Sequence, residues 1–475
     1  MSLPGAGSVL RSSPPAGEAW AALGGQPADL DRVMVAGDPA GLLPSRLKVQ
    51  ELMTAAAGSA ILAVATLDAA RNHTAPAPVS LSADHIAVAA RSERYARRTG
   101  SDTAVRMAPL SRFWKASDGW VRLHANYPWH LRRALHVLGC EDDPGLVGPA
   151  IAARTTADLE EAFAAAGGLA FAVRTLDEWT SHPQGQAVAS QALVGTDAGP
   201  GPGRKLPAGR ALDGIRVLDL TRVIAGPVAT RTLAAWGADV LRLDAPQLPE
   251  IATQAIDTLL GKRSALLDLS SRDGYQQLQR LLAEADLLVQ GYRPGALARF
   301  GLAPEALAER WPHLSVVTLS AWGSSGPWSG RRGFDSLVQC PSGIAAIEGS
   351  ADEPGAMPAQ ALDHATGYLA AAAGIMALAA RHADGHPRYQ RLSLARTARW
   401  FTDAGRAAQA APRDPAPGPL LTEVPGAGFT VRVVRPPGQV GELRPAWNRA
   451  AGLGADPPEF ASRPRAGTGE RDARS

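Results

Sequence analysis

Only two cysteines, Cys140 and Cys340, occur in 475 residues, too few and too far apart for a disulfide framework or a cysteine-built zinc site. Both stand among apolar residues, as buried free thiols do, and so few thiols fit a cytoplasmic chain. Long apolar runs are missing as well: no uninterrupted stretch reaches the roughly 18 residues that a membrane span needs. After Met1 there is no basic segment leading into an apolar one, so neither export nor membrane insertion is expected. Charge of one sign is not in excess, since 48 Lys and Arg face 45 Asp and Glu for a net charge of +3. The cations are scattered, not gathered in runs; this gives no nucleic-acid or membrane surface but leaves room for local anion pockets. Nucleotide and hydrolase signatures are also absent: no GxGxxG follows the strand at residue 215, and neither GxxxxGKS/T nor GxSxG occurs. His124, His130 and His136 recur every six residues, a spacing that suits neither one helical face nor HExxH, so no metal is expected.

What is present is an alternation of strands and helices. Ile215–Leu220 reads as a buried strand, Ala225–Val228 as a tight turn, Ala229–Trp236 as a helix and Val240–Leu243 as a second strand, which together make a βαβ unit. Further strands are expected at 264–269, 287–290 and 314–319, with amphipathic helices between them; the pattern predicts a parallel sheet covered on both faces. Gly and Pro crowd the stretch from Gly195 to Gly209, which reads as an exposed linker dividing the chain. Before it, helices are expected at 52–70 and 130–138 with a short strand at 120–124.

Three groups of residues could carry chemistry. Asp363 is the single carboxylate at the mouth of an Ala-rich helix, and two readings of it stand: an N-cap accepting first-turn amides, or a reactive carboxylate in the field of the helix N-terminus. Gly367 keeps the next turn open in either case. Lys262 and Arg263 precede a strand and read either as a solvated edge or as a grip on phosphate, Arg as a fork and Lys as a point charge. The segment from Gln290 to Gly301 follows another strand and sets Gly291, Tyr292, Arg293 and Arg299 where open α/β sheets bind ligands.

Taken in order, Leu212–Pro227, Trp236–Asp244, Gly261–Leu269, Tyr292–Gly295, Gly323–Pro327 and Gly333–Gln339 resemble the core of the family III CoA-transferases, the CaiB/BaiF group. The resemblance implies an α/β fold with a Rossmann-like parallel-sheet core and a smaller α+β domain. It implies that Asp363 is a covalent nucleophile and that Lys262, Arg263, Gly291, Tyr292, Arg299 and Arg332 hold CoA. Coenzyme A would then be a substrate, with no tightly bound cofactor, and the partners would be an acyl-CoA and a carboxylic acid. CoA would move between acids through an aspartyl anhydride and an aspartyl-CoA thioester.

The parts stand in an unusual order. Phe113–His124 and Phe171–Trp179 resemble the start and end of the family's small domain, yet they precede the core. The expected organisation is therefore 1–195, a degenerate helical segment plus small domain; 196–210, a linker; 211–460, the core with its C-terminal segment; and 461–475, a disordered tail. Ala55–Gly58 repeats Ala371–Gly374 at an offset of 316, which sets Leu47 opposite Asp363 and leaves one nucleophile. The repeat allows either a homodimer or a single-chain pseudo-dimer. Formyl-CoA-transferase-like members have Gln at the position of Ile224, and racemase members have His at that of Phe334. A racemase, a thioester hydrolase and a catalytically weak acyl-CoA-binding subunit are the alternatives.

Overall fold

Side chains along the central strands alternate between two hydrophobic cores, and that alternation makes the sheet a divider. The computed structural model describes residues 8–101, 107–350 and 352–461; of the expected tail 461–475, all but Ala461 lies outside them. In chain order the first half carries β1 (Ser8–Val9), β2 (Val33–Ala36), β3 (Val79–Ser82), β4 (Arg97–Arg98), β5 (Phe113–Lys115), β6 (Trp120–Leu123), β7 (Ala170–Ala172) and β8 (Gly195–Ala198). The second half carries β9 (Arg216–Leu220), β10 (Asp239–Asp244), β11 (Arg263–Leu266), β12 (Leu287–Gln290), β13 (Ser315–Ser320) and β14 (Arg388–Ser393), then β15 (Leu421–Gly426), β16 (Phe429–Val434) and β17 (Gln439–Val440).

The main sheet has the order β11-β10-β9-β12-β13-β14-β8, with β9 to β14 all parallel to one another. Val217, Val240, Leu287 and Val317 face the helices Ala225–Ala235 and Ala361–Asp384, whereas Leu218, Leu241, Leu288 and Val316 face the helix Arg272–Glu284. A sheet buried on both faces needs apolar residues at successive positions, which is why these strands read as continuous runs. The α/β expectation holds. One element departs from it: Gly195–Ala198, expected to start a free linker, is β8, the antiparallel edge strand on β14. An edge strand tolerates Gly at its end and needs only one neighbour's hydrogen bonds, so local composition concealed it.

Two helices of 24 residues, Val49–Asn72 and Ala361–Asp384, lie against each other at the centre of the molecule. By length and composition Val49–Asn72 is apolar enough to cross a membrane, but 89% of its most apolar window is buried against the rest of the chain. Glycine permits the closest approaches: a Cβ at Gly367 would stand 2.6 Å from the carbonyl oxygen of Ala225 and 2.7 Å from Cβ of Val228, inside hard contact. The helix Val49–Asn72 packs on β3, which pairs parallel with β2, just as Ala361–Asp384 packs beside the parallel pair β13 and β14. The first half thus repeats a strand-helix-strand-helix portion of the second.

The two halves share an element order, but the helix starts align in a register that differs from the sequence match. Glu51 is third in the first helix and Asp363 third in the second, and Ser82 and Ser393 each cap the helix that follows. Glu51, not Leu47, therefore stands opposite Asp363. Sliding a helix by about one turn keeps the same face inward, so an Ala/Gly match cannot fix the register.

After that repeat the first half builds the meander β5-β6-β7 with its own core of Trp114, Val121, Leu123, Phe163 and neighbouring helices. The C-terminal strands return to it, β17 pairing with β3 and β16 with β4. Each half thus lends strands to the other's sheets.

Candidate active site

At the C-terminal edge of the parallel strands lies a cavity of about 680 Å³, opened where the order reverses between β9 and β12. Its lining includes Leu220 from β9, Asp244 from β10, Gly291 and Tyr292 after β12, Ser320 from β13, and Ala225 and Gly226 at the start of the helix Ala225–Ala235. Asp363 is in that wall. The first half closes the opposite side with Tyr127, Trp129, His130 and Arg133, all on or beside the helix Pro128–Leu138.

Asp363 is third in its helix, not its N-cap; Gln360 holds the cap position and makes no side-chain cap. The capping carboxylate comes from elsewhere, since the amide of Asp363 donates to Oδ2 of Asp335 over 3.0 Å. Asp335 is fully buried and also accepts from the side chain of Gln339, whose own oxygen accepts from the amide of Met357 at 3.0 Å. Asp363 is thus left free of capping duty, 4% exposed at the cavity wall. Burial raises its pKa well above the usual carboxylate range, and the charges of Asp335 and then Glu93 raise it further. Asp335 is pushed up to about 6 by burial, against the amide and Gln339 hydrogen bonds that favour its charge. Behind the helix, Nε2 of His364 meets Oε2 of Glu93 at 3.0 Å, a buried contact that crosses between the halves. Burial works against the charge on Glu93, but His364 outweighs it and holds the carboxyl below its ordinary value.

The expected CoA-holding residues divide into two groups. Gly291, Tyr292, Arg299 and Arg332 all line the cavity, joined by Arg293. Lys262 and Arg263 do not. Lys262 is fully buried, with Nζ donating to Oδ2 of Asp219 at 2.9 Å, to Oγ1 of Thr230 at 2.6 Å and to the carbonyl of Pro227 at 3.3 Å. Burial lowers its pKa to about 8 against the pull of Asp219. Its contacts pin the first turns of the helix Ala225–Ala235, so it shapes the cavity from beneath. Arg263 begins β11, at the end of the sheet away from the cavity, and faces Asp239 at 3.5 Å. Both residues carry the charge a phosphate grip needs, but the chain direction of β11 turns them away from it.

Residues that sequence reasoning missed come mainly from the other half. Arg222 donates to the carbonyls of Leu248 at 2.8 Å and Pro249 at 2.9 Å, lies 3.4 Å from Glu250 and stacks over the Tyr127 ring at 5.3 Å. The Tyr127 hydroxyl donates to the same glutamate, which ties the first half to the core. Beside this knot Val223 has φ of 70°, a left-handed conformation that a β-branched residue adopts only under strain, and its amide donates to Glu250 at 3.3 Å. Ile224 packs into the core at 7% exposure and does not line the cavity. Phe334 stacks on His124, ring centroids 4.0 Å apart, with His130 edge-on at 5.8 Å. Cys340 is buried, whereas Cys140 is half exposed; neither is paired.

A parallel sheet with a buried, raised carboxylate and several cations at its C-terminal edge defines an anionic-substrate site of the α/β class. Residues 212–427 match the family model CoA-transferase family III. It is 31% identical over 243 residues to a probable fatty acyl-CoA transferase of Mycobacterium tuberculosis, covering 47% of this chain and 61% of the relative. It is 31% identical to the succinyl-CoA:glutarate CoA-transferase of Mus musculus, over 39% and 49% of the two chains. With a formyl-CoA:oxalate CoA-transferase of Rhodopseudomonas palustris it shares 33% identity over 39% and 46%. The chain spans about half the length of these curated relatives. Among solved structures, a hypothetical protein from Mycobacterium tuberculosis matches at 33% identity and TM-score 0.37, over 39% of this chain and 56% of the other.

Proposed function

We propose that this protein moves CoA from an acyl-CoA thioester to a carboxylic acid with Asp363 as nucleophile. A carboxylate oxygen of Asp363 attacks the thioester carbonyl; the C–S bond breaks, leaving a mixed anhydride and CoA thiolate. The thiolate attacks the aspartyl carbonyl, expelling the donor acid as a carboxylate and forming an aspartyl-CoA thioester. The acceptor carboxylate then attacks that thioester, releasing thiolate, which takes the new acyl group and frees Asp363. No proton need be gained or lost overall.

The observation that carries this reading is the position of Asp363: a buried carboxylate with no cap to serve, on the wall of a cavity at the sheet's ligand edge. Burial excludes the water that would hydrolyse either intermediate. The raised basicity of Asp363 strengthens it as a nucleophile once ionised, and Ala225 and Gly226, which open the helix Ala225–Ala235, line the same cavity. Tyr292, Arg293, Arg299 and Arg332 suit a nucleotide phosphate chain, while Leu243, Leu248 and Phe300 give it apolar surface. The free cysteines fit a cytoplasmic protein. Incubation with an acyl-CoA followed by hydroxylamine should mark Asp363 as a hydroxamate detectable by mass. An unmarked Asp363, with full turnover in D363A, refutes the reading.

A second reading rests on His130. Its ring shares the cavity with Asp363 beside Phe334, where racemase members carry histidine, and burial with nearby arginines lowers it to about 4, so it is neutral and able to take a proton. Deuterium uptake α to the thioester, lost in H130A, would support proton exchange. As to assembly, one chain supplies both the core and the layer over it, which supports a pseudo-dimeric monomer. Sedimentation at twice the chain mass would instead support the homodimer.

A further inference from the structure

We propose that Arg133 and Arg332 together form an anion site at the seam between the two halves, made for a carboxylate or phosphate group. Arg133 lies on the helix Pro128–Leu138 of the first half, and Arg332 in the loop before Phe334 in the second. Both line the cavity that holds Asp363. They converge over Gly167: a Cβ placed there would be 3.4 Å from Nη1 of Arg133 and 3.6 Å from Nη1 of Arg332, so the two nitrogens lie within the sum of those distances. One planar oxyanion can bridge two guanidinium groups at that spacing.

Neither arginine forms an ion pair among the described residues. Arg133 donates to the carbonyl of Gly167 at 2.9 Å, and Arg293, a third cavity cation, donates to that of Gly330 at 3.1 Å. Like charges gathered without a counter-charge repel one another, and burial followed by Arg293 and Arg133 lowers Arg332 from its usual value. A bound anion removes that conflict. The neutral His130 beside them adds no competing charge and keeps Nδ1, buried, without a partner.

This inference rests on the proposed CoA-transferase reading, which supplies two sources of anion: the phosphates of CoA, or a second carboxylate on the acid. Calorimetric titration of the full chain with CoA, 3′-dephospho-CoA, inorganic pyrophosphate, glutarate and butyrate tests it in wild type, R133Q, R332Q and R133K. R132Q, one position along on an exposed residue, is the control. R133Q is expected to weaken binding by about tenfold or more, as loss of a charged hydrogen bond does. The double variant should lose less than the two single losses combined. Loss confined to CoA or pyrophosphate assigns the site to phosphate; loss of a preference for glutarate over butyrate assigns it to the acid. R133K keeps a donor for Gly167 and guards against misfolding, and melting temperatures are compared throughout. If wild type binds CoA and R133Q matches it within twofold on every probe, this site is overturned and the transferase reading survives. If wild type binds none of the probes, both fall.

Discussion

Replacing Asp335 by asparagine tests the electrostatic core of the site. Oδ2 of Asp335 is 3.0 Å from the amide nitrogen of Asp363, so the two carboxyl groups are separated by little more than the N–Cα–Cβ–Cγ path of one residue. Two unit charges about 6 Å apart at an effective dielectric of about 20 repel by about 3 kcal/mol. That equals about two pH units. Burial remains the larger cause of the raised Asp363 value, so D335N removes only the second contribution. The acid limb of kcat/KM, which follows ionisation of Asp363, is expected to begin well above pH 4 in wild type and to move down by about one to two units in D335N. Stability gives an independent readout. Asp335 has its folded value raised from 3.8 to about 6, so its contribution is fully present below pH 3.8 and is lost as pH rises through about 6. Chemical denaturation should show that loss between pH 4 and 6 in wild type and a flatter profile in D335N. An unmoved acid limb in a folded D335N would refute the argument.

D363N should abolish turnover without lowering the melting temperature at neutral pH, because it removes a buried carboxyl that the fold holds above its ordinary pKa. K262M, in contrast, breaks a buried pair and leaves Asp219 uncompensated; denaturation should show a loss of about 3–5 kcal/mol. G367A forces a methyl against the carbonyl of Ala225, with an expected cost of about 1–3 kcal/mol and reduced turnover as the helix start is displaced. Y127F frees one oxygen of Glu250 and loosens the tie between the halves, so kcat/KM should fall about tenfold with little change in melting temperature, read by steady-state kinetics.

The parallel sheet was legible because a strand buried on both faces carries apolar residues at successive positions, as Val217–Leu218, Leu287–Val289 and Val316–Val317 do. That Gly291, Tyr292 and Arg299 line the cavity was legible for a related reason: loops after parallel strands gather at one edge whatever their composition; Arg332 was placed there by the family resemblance alone. Lys262 and Arg263 were misread because charge was visible and direction was not. β11 runs away from them, so its start lies at the far end of the sheet, and Lys262 found Asp219 in the interior instead. The capping of Asp363 by Asp335 was also hidden, since the two stand 28 positions apart and meet only in the folded chain. Tyr127, His130 and Arg133 were invisible as site residues because nothing in a sequence states which helix of one half will cover a cavity in the other.

That seam brings residues from both halves of the chain to one cavity. The first half keeps the strand-helix-strand-helix unit needed to pack against Ala361–Asp384, and then the meander domain that overlies the cavity. It places Glu51 where the second copy has Asp363. The Glu51 carboxylate accepts from Ser13 at 3.0 Å, has Lys48 at 4.0 Å and stands half exposed, whereas Asp363 is buried in the cavity wall. Chemistry at the two positions therefore differs through surroundings more than through residue type, since both are acids at the third position of a long helix. The second copy supplies Asp363 and the C-terminal edge of the sheet. The first supplies Glu93 behind the Asp363 helix and Tyr127, His130 and Arg133 in front of it. A cavity built this way draws its walls from both halves of the chain.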